Sequence, residues 1–186
     1  MPPKYRYLWL LRHAKTVTDP PDGGTDFDRV LAPRGRRDAS ALGHLFKTDR
    51  ARFGPKRDPF PQVALVSPAA RTAATAELVL HELDEPPPQV LVADFYGAEP
   101  DDVLEHLRTL TDDLRSVMVV GHNPTAHALA SGLIGPADKK GRELVARRGF
   151  PTCALGIYRF TIDHWTEMAG GTARLTGLFT PPFSQK

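Results

Sequence analysis

Apolar residues in this chain fall into short dense blocks, separated by stretches where they recur every three or four positions. Dense blocks of this length read as buried strands, and the three-to-four spacing reads as amphipathic helix. Tyr5–Leu11 is the first such strand. Asp19–Gly24, with two prolines and two glycines, predicts a turn-rich loop. From Pro33 to about Lys47 the spacing is helical, with Ala39, Leu42, Leu45 and Phe46 on one side and Pro33 in the first turn.

Residues 50–61 are basic and proline-rich and predict a loop. Val63–Val66 is a short buried strand. Ser67 then reads as a helix N-cap, with Pro68 at the first helical position. That helix runs to about Leu83 and is stopped by Pro86–Pro88. Val90–Val92 forms a third strand, and Pro100 to about Leu110 a helix carrying Val103, Leu104 and Leu107. Ser116–Val120 is a fourth strand. Asn123 and Pro124 repeat the cap-and-proline pattern before a helix to about Ile134. Residues 135–149 contain glycines and five basic side chains (Lys139, Lys140, Arg142, Arg147 and Arg148) and read mostly as loop. Thr152–Phe160 and Ala173–Phe179 give the last strands, on either side of Gly170-Gly171. Strands alternating with helices predict an α/β fold with a mostly parallel central sheet. No internal repeat interrupts it, and residues 1–186 read as one domain.

Composition adds limits. With 186 residues and 41% hydrophobic content, the chain can bury a core without staples. A formal net charge of +2 gives no argument for nucleic-acid or membrane partners. The early apolar run Tyr7–Leu11 is too short for a membrane span or a signal peptide. Cys153 is the one cysteine, so an intramolecular disulfide is impossible, a reducing cytoplasmic setting is expected, and the thiol reads as core.

The chemistry gathers at strand ends. The first strand ends at Arg12-His13. The second ends at Ser67-Pro68, with Arg71 in the following turn. The fourth ends at Gly121-His122-Asn123-Pro124. Open α/β sheets bind ligands beyond the carboxyl ends of their strands, so these segments are expected to share one crevice. Two guanidinium groups suit phosphate oxygens, and two imidazoles supply a nucleophile and a further donor. The other five histidines (His44, His81, His106, His127 and His164) have no metal-ligand spacing and read as surface or core residues.

Leu11-Arg12-His13-Ala14-Lys15 resembles the Arg-His-Gly/Ala signature of the histidine phosphatase superfamily. Ser67-Pro68-Ala69-Ala70-Arg71-Thr72-Ala73-Ala74-Thr75 is similar to its Ser-Pro-x-x-Arg-x-x-x-Thr segment. Val120-Gly121-His122-Asn123-Pro124 matches its second-histidine motif, and Leu31-Ala32-Pro33-Arg34-Gly35 echoes the helix start between the first two. The spacing is that of the small branch containing the SixA-type phosphohistidine phosphatases. The resemblance implies a three-layer α/β/α, phosphoglycerate mutase-like sandwich, without metal or organic cofactor. It implies that His13 is the nucleophile and that Arg12, Arg71 and His122 complete the phosphate pocket.

Mutase-like relatives carry a glutamate as general acid after the third strand. Here Val92–Glu99 offers none at that place; Asp94 is the nearest candidate and Glu99 the next. An absent acid suits a readily departing group such as the imidazole of phosphohistidine. Lys15 is a candidate for the pocket rim. The expected partner is a phosphorylated protein or a small phosphorylated substrate. The alternatives are a small-metabolite phosphatase with the same site and, in another class, a non-catalytic phosphate- or phosphoprotein-binding module. A basic 139–148 rim for an acidic partner is a further expectation.

Overall fold

In the computed structural model, which describes residues 5–54 and 60–183, the apolar blocks build one six-stranded sheet. The strands are β1 (Arg6–Arg12), β2 (Val63–Val66), β3 (Gln89–Leu91), β4 (Ser116–Gly121), β5 (Leu155–Phe160) and β6 (Arg174–Phe179). They lie in the order β3-β2-β4-β1-β5-β6. β1 to β4 pair in parallel, and β5 and β6 add in antiparallel sense at one edge. The helices are α1 (Pro33–Thr48), α2 (Ala70–Leu80), α3 (Pro100–Arg108), α4 (Thr125–Gly132) and α5 (Lys139–Arg148).

Side chains alternate across a strand, so each central strand feeds two cores. Tyr7, Trp9 and Leu11 of β1 pack with Leu42 and Phe46 of α1 and with Val79 of α2. Leu8 and Leu10 face the other way, with Leu107 of α3, Leu129 of α4 and Val145 of α5. Helices therefore cover both faces, giving a three-layer α/β/α arrangement. Among the described residues, no helix is long and apolar enough to cross a membrane.

Several boundaries differ from the sequence expectation. Residues 139–148 are helix α5, not loop. The run Arg142–Arg148 has good helix formers, Gly141 and Val145 are buried, Asp138 accepts from the Gly141 N–H, and Gly149 ends the helix at φ 64°. Ser67 and Asn123 do not cap: α2 begins three residues later at Ala70, and Pro124 occupies the cap position of α4. Both side chains are committed elsewhere. Asn123 Nδ2 donates to Phe150 O at 3.4 Å, and Ser67 belongs to the site below. Helix α2 ends at Leu80 and α4 at Gly132, earlier than expected. Arg50–Phe53 forms a short helical turn inside the expected 50–61 loop, of which residues 55–59 lie outside the described residues.

Register brings the strand ends level. Arg12 stands opposite Gly121, and Val66 opposite Val120. His13, Ser67 and His122 therefore leave three adjacent strands at the same edge. Gly35 explains the helix start: a Cβ there would meet the Lys15 carbonyl oxygen at 2.0 Å, so only glycine lets α1 abut the turn after His13.

Candidate active site

The backbone of His13 is fixed from two sides. Its N–H donates to Gly121 O at 3.0 Å, and its carbonyl accepts from Cys153 N–H at 3.0 Å. Cys153 makes this contact from the left-handed region, φ 61°, while fully buried. Burial pushes its thiol pKa up, so Cys153 is a protonated core residue.

The His13 ring is oriented by its own turn. Nδ1 lies 2.8 Å from Ala14 O and donates to it, since a carbonyl can only accept. The lone pair is then on Nε2, which has no hydrogen-bond partner among the described residues. His122 has the opposite tautomer. Its Nδ1 accepts from Arg71 Nε at 3.2 Å, so Nε2 carries the proton toward Ser67 Oγ at 2.7 Å. The two ring centroids are 5.4 Å apart.

Arginines surround these rings. Arg71, in the first turn of α2, is 7% exposed and also reaches Asp26, donating from Nη2 to Oδ2 at 2.9 Å and from Nη1 to the carbonyl oxygen. Arg12 donates from Nη1 to Phe150 O at 3.0 Å, and its buried Nε has no protein partner among the described residues. Burial lowers the Arg12 pKa, but a guanidinium remains charged.

The sequence expectation did not include Arg29, Asp26 or Tyr96. Arg29 holds the loop after His13, donating to Thr16 Oγ1 at 2.6 Å and Val17 O at 2.8 Å. Asp26 bridges Arg29 and Arg71, with ion pairs of 2.9 Å to each. Its pKa is lowered, first by Arg29 and then by Arg71. Tyr96 donates to Asp26 Oδ2 at 3.3 Å and meets the His122 ring edge-on. The i,i+3 spacing of Asp26 and Arg29 was the one local hint of this network.

The remaining candidates separate. Asp94 sits exposed in the helical turn Ala93–Phe95 and makes no hydrogen bond or ion pair with His13, Arg71 or His122. Lys15 is exposed and likewise contacts none of the four principal side chains through a hydrogen bond or ion pair, although its carbonyl anchors Ala32 N–H at 2.9 Å. Glu99, rather than Asp94, lines a cavity that reaches His122. The basic residues of α5 divide. Gly149 and Phe150 link its C-terminal end, Arg147 and Arg148, to Arg12. Lys139 and Lys140 lie roughly 14 Å away at the other end of the helix, at 1.5 Å rise per residue.

Electrostatics make both imidazoles neutral. Burial, opposed by the Ala14 bond and reinforced by Arg12, Arg71 and Arg29, lowers the His13 pKa to about 4. Burial and Arg71 lower that of His122 to about 3. A neutral His13 carries the lone pair that an in-line attack needs. Because the folded pKa lies below the ordinary 6.5, the unfolded chain binds more protons between 6.5 and about 4. Stability from these histidines is thus fully present above pH 6.5 and lost as pH falls toward 4. We expect nitrogen NMR of His13 to show a neutral ring at pH 5.5 and protonation near 4. Titration near 6.5 would contradict the buried geometry.

Residues 8–93 match the model of the histidine phosphatase superfamily, branch 1. An uncharacterised Mycobacterium tuberculosis protein, Rv1276c, is 34% identical over 92% of this chain and 99% of its own length. Two solved structures are similar: the candidate phosphohistidine phosphatases SixA of Nakamurella multipartitia and of Agrobacterium tumefaciens. The first is 27% identical with a TM-score of 0.76, over 98% of this chain and 99% of that one. The second is 28% identical with a TM-score of 0.74, over 95% and 98%.

Proposed function

Because this chain belongs to the histidine phosphatase superfamily, we propose that it hydrolyses a phosphomonoester or phosphoramidate through a covalent phosphohistidine on His13. The carrying observation is the tautomer of His13. Nδ1–H is held by Ala14 O, which leaves the Nε2 lone pair available beside three arginines.

In the first step, Nε2 attacks phosphorus and the bond to the leaving oxygen or nitrogen breaks. The departing atom takes a proton from water. Arg12 and Arg71 hold the equatorial oxygens and offset the charge of the transition state, and His122 adds a donor when its Nε2–H turns from Ser67 Oγ to the phosphate. Arg12 brings its unpartnered Nε–H to this task, and Arg71 exchanges its Asp26 contact for the phosphate. In the second step, water attacks phosphorus, the P–Nε2 bond breaks, His13 regains its lone pair, and phosphate departs with the water's oxygen and one of its protons while the other neutralises the hydroxide left by the first step.

The finer reading is a SixA-like protein phosphohistidine phosphatase working in the cytoplasm. Likeness to the two SixA candidates favours it. The substrate would be a phosphorylated protein, with a small phosphorylated metabolite as the alternative. Profiling an aryl phosphate, sugar phosphates, phosphoserine and a phosphohistidine-bearing protein tests this. The highest kcat/KM is expected for phosphohistidine, and a sugar phosphate in first place would move the assignment to the metabolite class. Failure to hydrolyse any of them would leave the binding-module reading.

A further inference from the structure

Thr75 lies in α2, one turn beyond Arg71, and is fully buried. Threonine is a poorer helix former than the alanines around it, Ala73, Ala74 and Ala76. Its hydroxyl donates to Arg71 O, four residues back, at 2.6 Å. That bond fixes the side-chain rotamer and leaves a lone pair of Oγ1 facing away from the helix. The lone pair accepts the Ala14 N–H at 3.0 Å, across 61 residues of sequence. Ala14 is fully buried, and its N–H has no second acceptor among the described residues. Ala14 in turn holds the nucleophile: its carbonyl accepts from His13 Nδ1–H at 2.8 Å. A side chain that donates to the next residue's carbonyl needs the peptide after Ala14 folded back toward the ring. On the far side of that peptide, Lys15 O accepts from Ala32 N–H at 2.9 Å, and Gly35 leaves free the space a Cβ would fill. On the near side, Thr75 is the brace.

Resting on the phosphatase reading, we propose that Thr75 is a positioning residue for the nucleophile. Its hydroxyl holds the Ala14 backbone so that Ala14 O keeps His13 in the Nδ1–H tautomer, with the lone pair of Nε2 aimed at phosphorus. Thr75 touches no substrate and acts through Ala14. Both capacities of the hydroxyl are used, the proton by Arg71 O and the oxygen by Ala14 N–H. The anion pocket is set independently of it. The Arg71 side chain is held by His122 and Asp26, and the Arg71 carbonyl remains inside α2. Loss of the Thr75 hydroxyl therefore falls on the chemical step, while the groups that bind phosphate stay in place.

The test is Thr75→Val, which keeps the branched shape and leaves the Ala14 N–H buried without an acceptor. Its kcat on an aryl phosphate is expected to fall about 10²-fold, the cost of misplacing a reacting group by about 1 Å. Inhibition by inorganic phosphate should stay within about threefold of wild type, since ground-state binding of the anion is untouched. Nitrogen NMR at pH 7, where the His13 ring is neutral, should show the single Nδ1–H tautomer in the wild type and a mixture of tautomers in the variant. Thr75→Ser restores the hydroxyl and should recover both the kcat and the single tautomer. Unchanged kcat in folded Thr75→Val, or a single Nδ1–H tautomer there, overturns the positioning role and leaves the phosphatase reading standing. A fall in kcat matched by an equal weakening of phosphate inhibition overturns it too, as does a Thr75→Ser variant no faster than Thr75→Val. Should Thr75→Val not fold, Thr75→Ala, which gives the turn room to relax, is read in the same way. Failure of both to fold assigns the hydroxyl to folding and overturns the role. Wild-type protein that hydrolyses no aryl phosphate instead removes the reading on which the role rests.

Discussion

Replacing His13 with alanine is expected to lower turnover of an aryl phosphate by about 10⁴-fold or more, because a covalent route loses its nucleophile outright. The fold should survive. The position is held through backbone bonds to Gly121 and Cys153, which alanine keeps. What is lost is a partly buried ring and its bond to Ala14 O. Rapid quenching with labelled substrate gives the direct readout: wild-type protein should carry acid-labile, alkali-stable label, and His13→Ala none. His13→Gln is a sharper variant, since it offers an amide near Nε2 without a nucleophilic lone pair. Full turnover by either variant would end the covalent scheme.

The second large effect is at Arg71. Arg71→Ala should reduce kcat/KM by about 10² to 10³-fold, the range for removal of one preorganised charged donor. The loss has two parts. The phosphate loses a bidentate partner, and His122 loses the donor that sets its tautomer. The Arg71 charge also lowers the pKa of both imidazoles, so the variant should titrate His13 and His122 at higher pH than the wild type. A purely structural arginine would not shift those titrations. Arg71→Lys keeps the charge but not the fork, and an ammonium cannot reach His122 and Asp26 in the same geometry. It should therefore recover the titration shift while remaining at least about tenfold below wild type. Unchanged kcat/KM in Arg71→Ala would remove Arg71 from the site.

Asp26 bears on both results. Its carboxylate occupies part of the Arg71 fork and is itself tied to Arg29 and Tyr96. On the proposed function, a phosphate entering the pocket would replace one anion with another, and the Asp26 contacts keep the guanidinium groups aligned before substrate arrives.

The periodicity of the chain was enough to place most strands and the cores of α1 to α4, since each depends on residues a few positions apart. Three motifs ending three strands named Arg12, His13, Arg71 and His122 before any coordinates. Helix α5 was hidden because its glycine and many basic residues read as loop, while what secures it is burial of Gly141 and Val145 against β6 and the second core.

The tertiary structure alone decided which nitrogen of His122 bears the proton, because its deciding partners lie 51 and 55 residues away. It likewise turned Ser67 from a helix cap into a partner of His122, and joined Asp26 to Arg71 across 45 residues. Local sequence records what a residue can donate or accept. Parallel register, which sets β1, β2 and β4 level at one edge, determines who receives it.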